Sequence, residues 1–126
     1  AAVRRAADKP TRDYNLLDWY YSLQATDSAA KFDGAEADVI GFVYHDPALD
    51  EGSFWLARFA VSCCVADATA MSLLVHWPDA PTLADNEWVQ VNGRIDADRT
   101  DSRDLPSLEA TSVEPISEPD QPYLYQ

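Results

Sequence analysis

Five runs of β-branched and aromatic residues, divided by breaks rich in Pro, Gly and Asp, constrain this chain more than any other feature. They are Asp38–His45, Phe54–Cys64, Ala70–Trp77, Glu87–Ile95 and Leu108–Ile116. Each has the length and composition of a strand. Gly41 lies inside the first and Gly93 inside the fourth. A glycine in mid-strand weakens it unless a bulge, a sharp bend or a close backbone approach requires one. Pro78-Asp79-Ala80-Pro81 stops the third run, and residues 82–86 leave room for a short helical turn before the fourth. A small, tightly coiled sheet with an insertion between its third and fourth strands predicts a mainly β fold, a five-stranded Greek-key barrel of the OB type. The alternative is an open five-stranded sheet covered by an N-terminal helix.

That helix is read from Leu16, Leu17, Tyr20 and Leu23, which recur at helical spacing and make one apolar stripe. Asp13 is placed to cap it. The expected organisation is a linker over residues 1–12 and a single domain over 13–126. Within it the helix covers about 13–25, the barrel about 37–117, and a proline-extended tail 118–126.

The chain has 126 residues, 47% of them apolar, enough for a buried core. It carries 22 acids against 9 bases, a formal net charge of −13. Nucleic-acid affinity comes mainly from Lys and Arg displacing counterions, so this balance argues against a nucleic-acid partner. Anionic membrane surfaces are disfavoured for the same reason. No run reaches the roughly 18 apolar residues of a membrane-spanning helix. The chain opens on Ala1-Ala2-Val3-Arg4-Arg5 without an initiator Met, as expected for a piece of a longer protein. The glycines are too scattered to cradle a phosphate, and no Gly-x-Ser-x-Gly elbow or His-x-x-x-His pair is present. The sequence therefore assigns no enzymatic activity.

Chemistry concentrates where the second run ends, at Arg58-Phe59-Ala60-Val61-Ser62-Cys63-Cys64-Val65-Ala66-Asp67-Ala68. Strand alternation puts Trp55, Ala57, Phe59, Val61 and Cys63 on one face. That face is uniformly apolar, so Trp55, Phe59 and Cys63 are expected in the core. Phe54, Leu56, Arg58, Ala60, Ser62 and Cys64 fall on the other, expected to be the more exposed. A guanidinium beside a thiol favours the thiolate, so Arg58, Ser62, Cys64 and Asp67 form a candidate binding patch. Cys64 and Asp67, with His76 from the third strand, could ligate a zinc or copper ion. The spacing does not require it, because CxxC pairs are absent. His45 and Asp67 also have plain readings, at a strand end and in a turn. Trp55, Trp77 and Trp88 could be a stacking platform or could fill the core and rim of a barrel.

Taken in order, Gly41-Phe42-Val43-Tyr44, Phe54–Phe59, Ser62-Cys63-Cys64-Val65-Ala66-Asp67-Ala68, Trp88–Gly93, Val113–Ile116 and Pro122–Tyr125 carry a resemblance. They resemble the soluble domain of a bacterial family of permease subunits, a domain of unknown function, over roughly residues 13–126. Cys-Cys-x-Ala-Asp-Ala is the most specific element. The resemblance implies an OB-type barrel and an accessory, non-catalytic role in a membrane permease complex. It further implies a multi-spanning permease as partner and a membrane anchor elsewhere in the full-length protein. The domain is then expected at the cell membrane on its outer side, with residues 1–12 as a juxtamembrane linker. Arg4-Arg5 fits that side poorly under the positive-inside rule. A link to metal ions is also implied. Where relatives often have Pro-Val-Gly after the cysteine segment, this chain has Ala70-Met71-Ser72. A thiol-dependent metal or redox protein acting alone is the alternative, and an OB-type nucleic-acid binder, opposed by the charge, is the third reading.

Overall fold

The apolar runs become β1 (Glu36–Tyr44), β2 (Ser53–Val61), β3 (Thr69–His76), β4 (Trp88–Asp96) and β5 (Ser107–Pro115), followed by a two-residue β6 (Leu124–Tyr125). The structure, a computed structural model, describes residues 10–24, 32–62, 68–96 and 106–125. Hydrogen bonding runs β1-β4-β5-β3-β2, and β1 pairs again with β2 to close the ring. The β3–β5 pair is parallel, and the remaining pairs of the ring are antiparallel. This is the expected OB-type barrel with a helix before it.

The two mid-strand glycines mark where the ring coils. At Gly41, β1 changes partners: Glu36–Phe42 pairs with β4, whereas Phe42–Tyr44 pairs with Trp55–Ala57 of β2. A Cβ at Gly41 would lie 2.8 Å from the Ala57 carbonyl oxygen and 2.9 Å from Leu56 Cγ. At Gly93 the β4–β5 register shifts, and a Cβ would run into the Glu109 carbonyl. The side chain is omitted where two backbones approach most closely.

Helix α1 (Leu16–Gln24) begins later than expected. Its cap is Asn15, not Asp13. Asn15 Oδ1 accepts from the Asp18 backbone N–H at 2.9 Å, and Asp18 Oδ2 accepts from the Asn15 N–H at 3.0 Å. Each side chain thus satisfies a donor that helix geometry orphans. Asp13 instead belongs to a 3-10 turn over Thr11–Asp13. The buried stripe is Leu16, Trp19 and Leu23, while Leu17 and Tyr20 are only half-buried. Trp19 sits 4.8 Å from Tyr14 and 5.3 Å from Phe32, ring centre to ring centre. These rings share one core with Val39, Val43, Phe54, Leu56, Val75, Val89, Val91 and Leu108. The 3-10 turn after β3 spans Ala80–Thr82 rather than residues 82–86, because Pro81 suits the first positions of such a turn.

Strand β2 does not follow the expected division of faces, although Ala57 and Val61 are buried as expected. Phe54, Leu56 and Ala60 are fully buried and Arg58 is only 9% exposed. Trp55 is half-buried and Phe59 is 40% exposed, so neither belongs to the core. Both faces of this strand are apolar, so alternation alone could not say which points inward. Closure on β1 decides it by pairing Leu56 with the buried Val43 and Trp55 with the exposed Tyr44.

Candidate functional site

Arg58 occupies a gap in the barrel wall. On the β1 side, β2 loses its partner after the Phe42–Ala57 pair, and β6 takes over only at Ala60–Leu124. Arg58 and Phe59 lie between. Arg58 Nη2 donates to the Gln121 carbonyl at 2.7 Å and Nε to the Pro122 carbonyl at 3.2 Å, tying the tail across the opening. Its guanidinium also stands 5.6 Å from the Trp88 ring centre. Desolvation in this position lowers the Arg58 pKa from its ordinary value, yet a guanidinium keeps its proton. Within the described residues its contacts are those of a strut. The cation expected on an open patch is spent on the chain's own tail.

Beside the gap the barrel carries an outward aromatic face. Phe42 lies 5.8 Å from Phe59 and 5.6 Å from Trp88, ring centre to ring centre. The cross-strand rows are Trp55–Tyr44, then Ala57–Phe42–Trp88, then Ile40–Gln90–Glu114, then Asp38–Asn92–Ser112. Tyr44 is 49% exposed, and Tyr125, opposite Val61 on β6, is 58% exposed. Acids edge this surface: Asp46 Oδ2 accepts from Trp55 Nε1 at 3.2 Å, and Asp38 Oδ1 accepts from Gln90 Nε2 at 2.7 Å. Trp55 and Trp88 belong to this face, whereas Trp77, just past the end of β3, packs against the core. Composition hinted at the aromatics, but the grouping of Phe42, Phe59 and Trp88 depends on closure of β1 on both neighbours.

At the other end of β2, Ser53, His76 and Glu109 stand opposite one another across β2, β3 and β5. Ser53 Oγ donates to Asp50 Oδ1 at 2.7 Å, which leaves it to accept from His76 Nδ1 at 2.8 Å. His76 Nε2 faces Glu109 Oε2 at 3.8 Å. With its proton given to Asp50 and its residue 5% exposed, Ser53 is not arranged as a nucleophile. An acid-lined cavity of about 360 Å³ lies over Asp50 and Ser53, with Asp46 and Glu51 in its wall. His45 is also engaged: its Nε2 donates to the Leu83 carbonyl at 2.8 Å and its backbone N–H to Asp85 at 2.7 Å.

Cys63, Cys64 and Asp67 lie outside the described residues. Ser62 is exposed just beyond β2. Among the described residues, no group of three or more His, Cys, Asp and Glu side chains is arranged to hold a metal ion. Also among them, no helix is long and apolar enough to cross a membrane.

The sequence model of the DUF1980 C-terminal domain matches residues 11–126. UPF0703 protein YcgQ of Bacillus subtilis (strain 168) is 28% identical over 98 residues, 76% of this chain and 34% of that protein. A Streptococcus mutans protein named "Putative two-component membrane permease complex subunit" is 30% identical over 98 residues, covering 76% of this chain and 35% of its own length. The chain thus spans about a third of the length of the curated relatives it matches. A solved structure, the OBody AM2EP06 bound to hen egg-white lysozyme, is similar with a TM-score of 0.49 and 15% identity over 86% of this chain and 95% of that one.

Proposed function

This chain belongs to the DUF1980 C-terminal domain family, and from that premise we propose that it is the accessory docking domain of a membrane permease complex. The Streptococcus mutans relative, named for such a complex, supplies the setting. The observation that carries the docking role is the outward aromatic face of β1, β2 and β4, on which Phe59 and Tyr44 remain 40% and 49% exposed. A contiguous aromatic surface is costly to leave in water and is the usual mark of an interaction site. Arg58 holds the tail across the adjoining gap, beside that surface. The full-length protein is membrane-associated in this reading, with residues 1–12 as the linker that precedes the domain.

The test is co-purification of the full-length protein with its multi-spanning permease from detergent-solubilised membranes. Tyr44→Ser with Phe59→Ser is expected to abolish recovery of the permease while the barrel still melts cooperatively. Undiminished recovery with the double variant would remove the face from the interaction. The metal-linked alternative rests on Cys64 and Asp67. Zinc or copper titration of reduced protein, with Cys64→Ser as control, tests it separately.

A further inference from the structure

We infer that the aromatic face receives a basic polypeptide segment, arginine-rich and interspersed with apolar residues; this rests on the docking reading and specifies the chemistry of what docks. Two described cations stand beside its rows, and both are engaged. Arg58 is bound to the Gln121 and Pro122 carbonyls. Arg94 donates to the Gly34 carbonyl at 2.9 Å and lies 3.6 Å from Glu36. The carboxylates have the opposite character. Asp38 accepts from a neutral donor, the Gln90 amide, which orients a negative charge without cancelling it. Glu114 is exposed directly across from Gln90. Among the described residues the surface is therefore aromatic at its centre and anionic at its edge, on a chain of net charge −13.

Two physical effects then select the same partner. Ring faces attract a cation electrostatically, and a weakly hydrated guanidinium is the side chain best suited to lie on them. The fold already shows this pairing once, with Arg58 over Trp88. The anionic edge and the overall field speed encounter with a basic segment and repel an acidic one. Apolar residues between the arginines would cover Phe42 and Phe59, which a purely charged peptide would leave wet.

The experiment titrates the 126-residue chain with a synthetic peptide of alternating Arg and Leu, and with its Glu–Leu counterpart. Binding is followed by tryptophan fluorescence and by backbone amide shifts. The Arg peptide is expected to saturate, with shifts centred on β1, β2 and β4, and to weaken as salt is added. Tyr44→Ser with Phe59→Ser, at exposed positions the fold tolerates, should weaken it about tenfold, the effect of losing two modest ring contacts. Asp38→Asn should weaken it less. Equal binding of the Glu peptide would overturn the inference. Arg-peptide binding indifferent to the double variant would also overturn it, since general attraction to an acidic protein would then suffice. If the permease co-purifies through this face independently of salt, the docking reading stands and the basic partner falls. If the Arg peptide binds as expected but no permease is recovered, the inference stands and the docking reading falls.

Discussion

The two strand glycines should differ sharply in their tolerance of a methyl group, and Gly93→Ala is the more informative change. The three atoms nearest the added Cβ are all backbone: the Glu109 carbonyl oxygen and carbon and Ala110 Cα, the last at 2.9 Å. No rotamer change can relieve such an overlap, so β5 itself must move against its hydrogen bonds to β4 and β3. Overpacking relieved only through the backbone costs about 3 kcal/mol. Replacing Gly by Ala also restricts the unfolded chain, which offsets about 0.5 kcal/mol. The net loss of about 2.5 kcal/mol corresponds to a fall in Tm of roughly 10 °C for a domain of this size. At Gly41 the nearest backbone atom is at 2.8 Å and the next contact, Leu56 Cγ, belongs to a side chain. That site can yield in part, and Gly41→Ala should cost about 1 kcal/mol. Gly52, whose nearest neighbours are at 4.0 Å, serves as control. Gly52→Ala should be neutral or stabilising by about 0.5 kcal/mol. Thermal and urea unfolding of the three variants would measure the series. A Gly93→Ala protein as stable as Gly52→Ala would refute the close approach of β4 and β5 on which the reasoning depends.

Three further outcomes follow from individual contacts. Arg58→Met should cost about 2 kcal/mol through its lost hydrogen bonds to the tail, and should speed amide exchange at Leu124 and Tyr125 well before β4 is affected. Asn15→Ala should cost about 1 kcal/mol by urea unfolding, because the cap leaves with the side chain; Asp13→Ala, removed from the cap, should cost much less. Trp19 Nε1 is buried without a hydrogen-bond partner among the described residues. Trp19→Phe therefore sheds an unsatisfied donor, worth about 1–3 kcal/mol, while losing packing of similar size, and should stay within about 1 kcal/mol of the parent. Trp19→Ala sheds the same donor but also loses the buried rings and leaves a cavity, and should lose about 4 kcal/mol.

The barrel was legible in the sequence because its determinants are local. β-branched runs, proline stops and mid-strand glycines follow from backbone sterics and pairing, which act over a few residues. The family was legible for a similar reason, since short ordered motifs survive without knowledge of their contacts. The helix was legible as an element but its details were not. Asn15 and Asp13 are both good caps, and only the docked helix shows which one meets an orphaned N–H. Trp19 displaced Tyr20 from the stripe because a bulky indole could reach Tyr14 and Phe32 in the core.

The site depended on tertiary structure much more heavily. Arg58 looked like a surface cation because its sequence neighbours include Ser62 and Asp67, yet its ligands are carbonyls 63 and 64 residues further on. Phe59 and Trp55 looked like core because they are large and apolar, yet they line the outside. By itself the sequence determined that strands would form and where they would bend. It could not decide which face of β2 turns inward, because Phe54 and Leu56 are as apolar as Trp55 and Phe59. Closing the ring made that choice: β1 bends at Gly41 onto both β4 and β2, Leu56 meets Val43 inside, and Phe42, Phe59 and Trp88 are left together outside.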